Sequence, residues 1–213
     1  MTNAFRGWPE EFQPFFIGLE LDNSKRYFDA NRETYETAVK APMVALIDSL
    51  AGEYGEGKVF RANRDIRFSK DKSPYKPNLG ASLAPGGRKS TRVGYYLHIA
   101  PHDESMLAGG LHSPLPPELA KFRKSLDRDA KPFKRVTGSK AFVQYFGPVS
   151  GTRLSTAPQG YPRDHPEIEL LKLKEIVAVH HLADETVCSP DLTAHTVKVF
   201  KAMKPFLDYL NEG

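Results

Sequence analysis

Apolar side chains at positions 12, 15, 16 and 19 recur at helical spacing, so Phe12, Phe15, Phe16 and Leu19 predict a short amphipathic helix after Pro9. Asp22, Asn23 and Ser24 then offer a stop and a fresh N-cap. A second helical stripe follows, with Tyr27, Phe28, Asn31, Tyr35 and Val39 on one face. Ala41-Pro42 interrupts it; Pro42 either opens a new helix in its first turn or kinks a continuous one. Met43, Leu46, Ile47 and Leu50 carry the stripe on until Gly52, Gly55 and Gly57 end it.

The periodicity changes in the middle of the chain. Val59–Ala62, Leu79–Ala84, Val93–Ile99 and Met106–Leu111 are short runs of β-formers or small residues bounded by turn residues, and they read as strands. Pro85-Gly86-Gly87 and Pro101-His102-Asp103-Glu104 read as hairpin connections. Strands this close together favour an antiparallel meander. Beyond the prolines at 114, 116 and 117, a helix from Pro117 to about Asp129 buries Leu119, Phe122 and Leu126. Ala141–Phe146 is read as helical and 147–163 as loop. Pro166–Leu173 is a helix capped by Asp164, and Glu175–His180 alternates like a strand. Ser189-Pro190-Asp191 starts a last helix that buries Leu192, Val199, Phe206 and Leu210, with Pro205 a possible kink. The expected fold is α+β in one domain, residues 1–213: a central, mostly antiparallel sheet flanked by N-terminal and C-terminal helices.

Composition narrows the setting. Apolar residues make up 40% of the 213 positions and charged residues 26%, as in ordinary globular domains. A single cysteine, Cys188, permits no intramolecular disulfide and fits a reducing compartment. The N-terminal residues do not have the pattern of a secretory signal, and no apolar run is long enough to span a bilayer. The expected setting is therefore cytoplasmic, with no membrane partner.

Charge is the uneven feature. The chain carries a net +4, yet segment 61–92 holds nine Lys/Arg against Asp65 and Asp71, a local +7. The other 181 residues sum to −3. A field this local points to an anionic ligand held in one place rather than to a uniformly basic surface. The first cluster spans Arg64, Arg67, Lys70, Lys72 and Lys76, and the second contains Arg88 and Lys89 beside the Gly86-Gly87 turn. If residues 61–68 are extended, Arg61, Asn63, Asp65 and Arg67 face one way and Ala62, Arg64, Ile66 and Phe68 the other. Asp65 can then pair with Arg67, whose planar fork suits phosphate or carboxylate. The segment between 63 and 78 is a long connection, of the kind that often carries function.

These stretches also carry a resemblance. The run from Arg64 to Lys76 (Arg-Asp-Ile-Arg-Phe-Ser-Lys-Asp-Lys-Ser-Pro-Tyr-Lys) is similar to the hallmark of an uncharacterised bacterial and fungal family, domain of unknown function 2461. Pro85-Gly-Gly-Arg-Lys-Ser90 followed by Gly94-Tyr-Tyr-Leu-His-Ile99 resembles its second hallmark, and Asn31-Arg-Glu-Thr-Tyr-Glu36 and Gly109-Gly110 resemble flanking pieces. The resemblance runs from about Phe12 to about Asn211. It implies a single-domain fold and brings no activity, cofactor or partner with it.

Other patterns fail. A P-loop needs glycine immediately before its lysine and another five residues earlier, where this chain has Arg88 and Leu83. Gly80-Ala81-Ser82-Leu83-Ala84 lacks the last glycine of a nucleophile elbow. His98, His102 and His112 with Asp103 have metal-ligand chemistry, but a strand and a turn seldom converge such a set. No metal ligands are assigned. Cys188 reads as a structural thiol, though a helix end nearby would lower its pKa.

Three functional readings follow. In the first, an anion-binding protein, or an enzyme, holds a phosphate-bearing small molecule or nucleotide through Arg64, Arg67, Lys72, Lys76, Arg88 and Lys89. Asp65 would orient, Lys70 would be the base or nucleophile among crowding cations, and Tyr75 the alternative proton donor. In the second, the same cations contact nucleic-acid phosphates while Phe68, Tyr75 or Tyr96 stacks on bases. In the third, the basic face docks an acidic protein.

Overall fold

Ser24 accepts a hydrogen bond from the Tyr27 N–H at 3.1 Å, so the new start expected after the first helix is built by a side-chain cap. The computed structural model of the chain describes residues 5–67, 70–84 and 93–212. Helix α1 (Phe12–Leu21) buries Phe12, Phe15, Phe16 and Leu19, the four residues of its apolar stripe. The capped helix is α2 (Lys25–Ala30), and α3 (Arg32–Thr34) leads into one π-helical turn, Tyr35–Lys40. That turn runs directly into α4 (Ala41–Tyr54). Pro42 sits in the first turn of α4, one of the two readings open at that residue, and the π-helical turn runs into α4 without a break. The widened turn ends at Lys40, with the Ala41 N–H bonding the Glu36 carbonyl, and Pro42, which lacks a donor, follows Ala41.

Five strands follow in a single sheet of order β1-β2-β3-β4-β5, each antiparallel to its neighbours. They are β1 (Glu56–Val59), β2 (Leu79–Ala84), β3 (Val93–Ile99), β4 (Ser105–Leu111) and, after a long excursion, β5 (Ile176–Leu182). The excursion carries α5 (Pro116–Arg128), α6 (Lys131–Thr137), α7 (Lys140–Tyr145) and α8 (Ile168–Leu171). After β5, α9 (Asp184–Cys188) precedes the long C-terminal α10 (Leu192–Glu212). The protein is thus α+β, an antiparallel meander flanked by helices from both ends of the chain.

Several boundaries differ from the expectation. The first strand lies at 56–59 instead of 59–62, because pairing with β2 (Glu56 opposite Ala84, Val59 opposite Ala81) sets its register and outweighs the β-propensity of Phe60. α8 is shorter than the stretch read as helix, while α6 and α9 fall where no helix is expected. Ser189 caps as read, accepting from the Asp191 N–H at 3.1 Å, but regular helix begins only at Leu192.

The sheet has two unlike faces. Val93, Tyr95, Leu97 and Ile99 of β3 are buried, while Gly94, Tyr96 and His98 between them are half-buried. The first set meets helices: Tyr95 packs on Phe200 of α10 at 4.3 Å between ring centroids and on Tyr54 of α4 at 5.0 Å. Close approach on this side depends on Gly109, where an added Cβ would lie 2.3 Å from Met203 Sδ and 2.9 Å from the Gly94 carbonyl. The second set, with Ser82 and Met106, lies on the face opposite the helices.

Candidate functional site

The connection between β1 and β2 has its own structure. Its two arms pair: the Arg64 N–H donates to the Pro74 carbonyl and the Lys76 N–H to the Ala62 carbonyl, both at 2.9 Å. Between them Asn63 and Tyr75 form an antiparallel bridge. Asn23, in the turn after α1, clamps the outer arm, accepting from the Tyr75 N–H at 3.0 Å and donating to the Tyr75 carbonyl at 3.1 Å. The Tyr75 ring lies flat on Phe28, 4.2 Å between centroids and 5° from parallel. These contacts fasten the loop to the N-terminal helices.

Within the loop the expected alternation holds. Arg61, Asn63, Asp65 and Arg67 are exposed, and Ala62, Arg64 and Ile66 are buried or half-buried. Asp65 takes two hydrogen bonds from the Arg67 guanidinium, 2.9 Å from Nε and 2.7 Å from Nη2. The Arg67 bonds hold its carboxyl below the usual carboxylate range. Asp71 organises the turn: it accepts from the Ser73 N–H at 2.9 Å, from the Ser73 hydroxyl, and from Arg64 Nη1 at 2.5 Å. Those Ser73 bonds first, with Arg64 behind them, keep Asp71 acidic. Lys72 donates to the Ile66 carbonyl at 2.9 Å. Much of the positive charge therefore has an internal partner that holds the loop in shape.

One part of the cluster is different. Lys76 Nζ donates to the Arg61 carbonyl at 3.2 Å and lies 5.9 Å from the centre of the Phe60 ring. Burial lowers its pKa, and the neighbouring Arg61 and Arg64 lower it further. Among the described residues the Arg61 guanidinium has no hydrogen-bond or ion-pair partner. Arg61 and Arg64 thus both act on the Lys76 ammonium; Asp71 binds Arg64, and Arg61 also acts on Asp65.

The cations border the sheet face that the helices leave uncovered. Phe60 continues the register of β1, its N–H donating to the Gly80 carbonyl at 2.8 Å, and so shares a face with Ser82 and Tyr96. Phe60 and Tyr96 are 6.3 Å apart between ring centres. Gly80 lets the Tyr96 ring lie close to the sheet, since a Cβ there would come within 2.6 Å of Tyr96 Oη. Tyr96 Oη in turn lies 3.2 Å from His98 Nδ1. Burial pushes the Tyr96 phenol up and the His98 imidazole down, with Glu104 partly offsetting the latter, so at neutral pH two uncharged groups share this bond.

The residues singled out in the sequence are therefore distributed unevenly. Arg64 acts on Lys76 through its field, and Arg61 does so too while holding the Lys76 ammonium on its carbonyl. Arg67 is on the exposed side with Asp65, and Lys70 is exposed with no hydrogen bond or ion pair among the described residues. Tyr75 is buried, 6% exposed, and acts as an anchor through its stack on Phe28 rather than offering a ring face to a base. Arg88 and Lys89, and with them Phe68 and the Gly86-Gly87 turn, lie outside the described residues. Phe60, not singled out in the sequence, and His98, weighed there as a metal ligand, lie beside Tyr96. Their signal was the two-residue alternation, which put them on the face of Tyr96 once the strand register was known.

The histidines weighed as metal ligands go separate ways. His102 meets Glu20 at 3.2 Å, His112 meets Glu175 at 3.4 Å, and Asp103 accepts from the Asp184 N–H at 2.7 Å. Among the described residues no group of three or more His, Cys, Asp or Glu could hold a metal ion. Burial pushes the Cys188 thiol up, and Asp184 and Glu10 add to this, the opposite of activation by a helix end. Among the described residues, no helix is long and apolar enough to cross a membrane.

A helix-backed antiparallel meander with a fastened basic loop beside its second face defines an α+β protein. Residues 11–209 match the model of the family described as conserved hypothetical protein (DUF2461), and the chain belongs to that family. No curated protein and no solved structure matches the chain.

Proposed function

We propose that this protein binds a phosphate-bearing small molecule, held by Lys76, Arg61 and Arg64 at the edge of the sheet. The observation that carries the reading is the half-buried Lys76 ammonium, held on the Arg61 carbonyl in the field of two arginines. An unpaired surface lysine would turn to water. Lys76 is instead held down by a backbone carbonyl and an aromatic ring, in a field that two arginines make more positive. Such a place lowers its energy by taking up an anion. Arg61 supplies a planar fork with no hydrogen bond or ion pair among the described residues, though Asp65 lies in its field, and the Asp71 contact presets Arg64.

Titration calorimetry with inorganic phosphate at low ionic strength tests this. The proposal expects saturable binding that weakens as salt rises, because the attraction is between charges near the surface. Lys76→Met, which keeps the stem and removes the charge, is expected to cost roughly tenfold in affinity, the scale of one charge-assisted hydrogen bond. Absence of binding, or the same affinity in Lys76→Met, would refute it.

A further inference from the structure

We infer that the ligand carries an aromatic ring on its phosphate, an aryl or nucleoside monophosphate, with the ring packed on the Phe60–Tyr96 wall and the phosphate at Lys76. This inference rests on the anion reading and adds the chemical class of the ligand's other half.

Three features of the sheet face lead to it. First, the aromatic wall and the cations are contiguous. Lys76 Nζ is 5.9 Å from the Phe60 ring centre, and Phe60 is 6.3 Å from Tyr96, so a phosphate at the ammonium places its substituent over these rings. Second, neither ring is consumed by the core. Both are half-buried, on the face opposite the helices, whereas the neighbouring Tyr95 is buried between Tyr54 and Phe200. A half-covered aromatic ring beside a cation offers a stacking surface to any flat π-system. Third, the wall is fixed in place. Gly80 supplies the space for Tyr96, and the Tyr96–His98 hydrogen bond at 3.2 Å sets its hydroxyl end. A ring held in one orientation loses little freedom when a second ring packs against it. A ligand of phosphate alone would leave this wall unused. A nucleic-acid strand would need further stacking surfaces, and Tyr75, the nearby tyrosine in the basic loop, is committed to Phe28.

Phenyl phosphate and adenosine monophosphate, each compared with inorganic phosphate by calorimetry, are the probes. Stacking of one ring is expected to make either ester bind about tenfold tighter than phosphate. Tyr96→Leu and Phe60→Leu keep apolar bulk and remove the ring, and each is expected to bring the ester-to-phosphate affinity ratio toward one. Circular dichroism of both variants establishes that they fold, and the milder Tyr96→Phe, which keeps the ring and loses the bond to His98, is expected to retain most of the ratio. If phosphate binds but both esters bind no tighter, this inference fails while the anion reading stands. A ratio unchanged in both leucine variants also overturns it. If neither phosphate nor the esters bind, the anion reading itself is lost.

Discussion

Asn23 does for Tyr75 what a neighbouring strand would do: its amide accepts from the N–H and donates to the carbonyl of one residue. Asn23→Ala leaves two half-buried backbone groups without their partner. It is expected to cost about 1–3 kcal/mol, measured by urea denaturation, and to weaken phosphate binding through the loosened loop. An unchanged unfolding midpoint would show that the clamp is dispensable. Thr196 presents the opposite case. Its hydroxyl is fully buried on α10 and, among the described residues, is the one buried side-chain polar atom with no hydrogen-bond partner. Thr196→Val replaces it with a methyl of nearly the same shape. Stability is expected to hold or to rise by about 1 kcal/mol, whereas the same threonine-to-valine change where the hydroxyl is bonded would lower it. At this scale the sequence was informative about type and silent about partners. Asn23 was legible as a helix-stop residue, but its bond to a residue 52 positions away depends on where the loop returns.

Pairs of elements show where titration matters. β5, α7 and α10 meet at two imidazoles: His180 Nε2 lies 2.9 Å from His195 Nε2, and His180 Nδ1 lies 3.0 Å from the Tyr145 carbonyl. A carbonyl only accepts, so His180 donates to Tyr145 from Nδ1, while its Nε2 faces His195 Nε2. Burial lowers the pKa of His195, and His180 and Lys198 lower it further; burial also lowers that of His98. A folded-state pKa below the unfolded value of about 6.5 means that the unfolded chain takes up the proton first as the solution is acidified. The stability these groups contribute is complete above about pH 6.5 and declines as the pH falls toward the lowered folded-state values. Denaturation midpoints at pH 7.5, 6.5 and 5.5 are expected to decrease in that order, with a shallower decrease in His195→Gln. A midpoint that rose on acidification would contradict this. The alternation of β5 placed His180 and His181 on opposite faces, and that much was readable from spacing; the contact with α10 was not, because His195 is brought there by helix packing.

At the scale of the molecule, among the described residues the sheet is backed by helices on one side only, and that backing depends on close approach. α10 reaches β4 over Gly109, whose missing Cβ leaves room for Met203. Gly109→Ala is expected to destabilise the protein by about 1–3 kcal/mol, read from thermal or urea unfolding, since Met203 can bend away but the Gly94 carbonyl, 2.9 Å from the new Cβ, is backbone. A neutral effect would mean that the helix-to-sheet spacing is looser than described. The same one-sided backing exposes the face on which Tyr96, His98 and Phe60 meet the basic loop, so core packing and the proposed ligand surface are two sides of one sheet.

Local chemistry was enough for the helix stripes, for β2 and β3 at their observed limits, for the in-and-out alternation of Arg61–Arg67 and for the concentration of positive charge in one segment. Each follows from neighbours a few residues apart, where periodicity and propensity act. Long-range packing chose the rest: the register that moved β1 and put Phe60 over Gly80, the burial of Tyr75 on Phe28, and the placing of Lys76 in the field of Arg61 and Arg64. A cation shows its charge in the sequence, but whether that charge is spent on an internal carboxylate or left facing a ligand depends on contacts between distant parts of the chain.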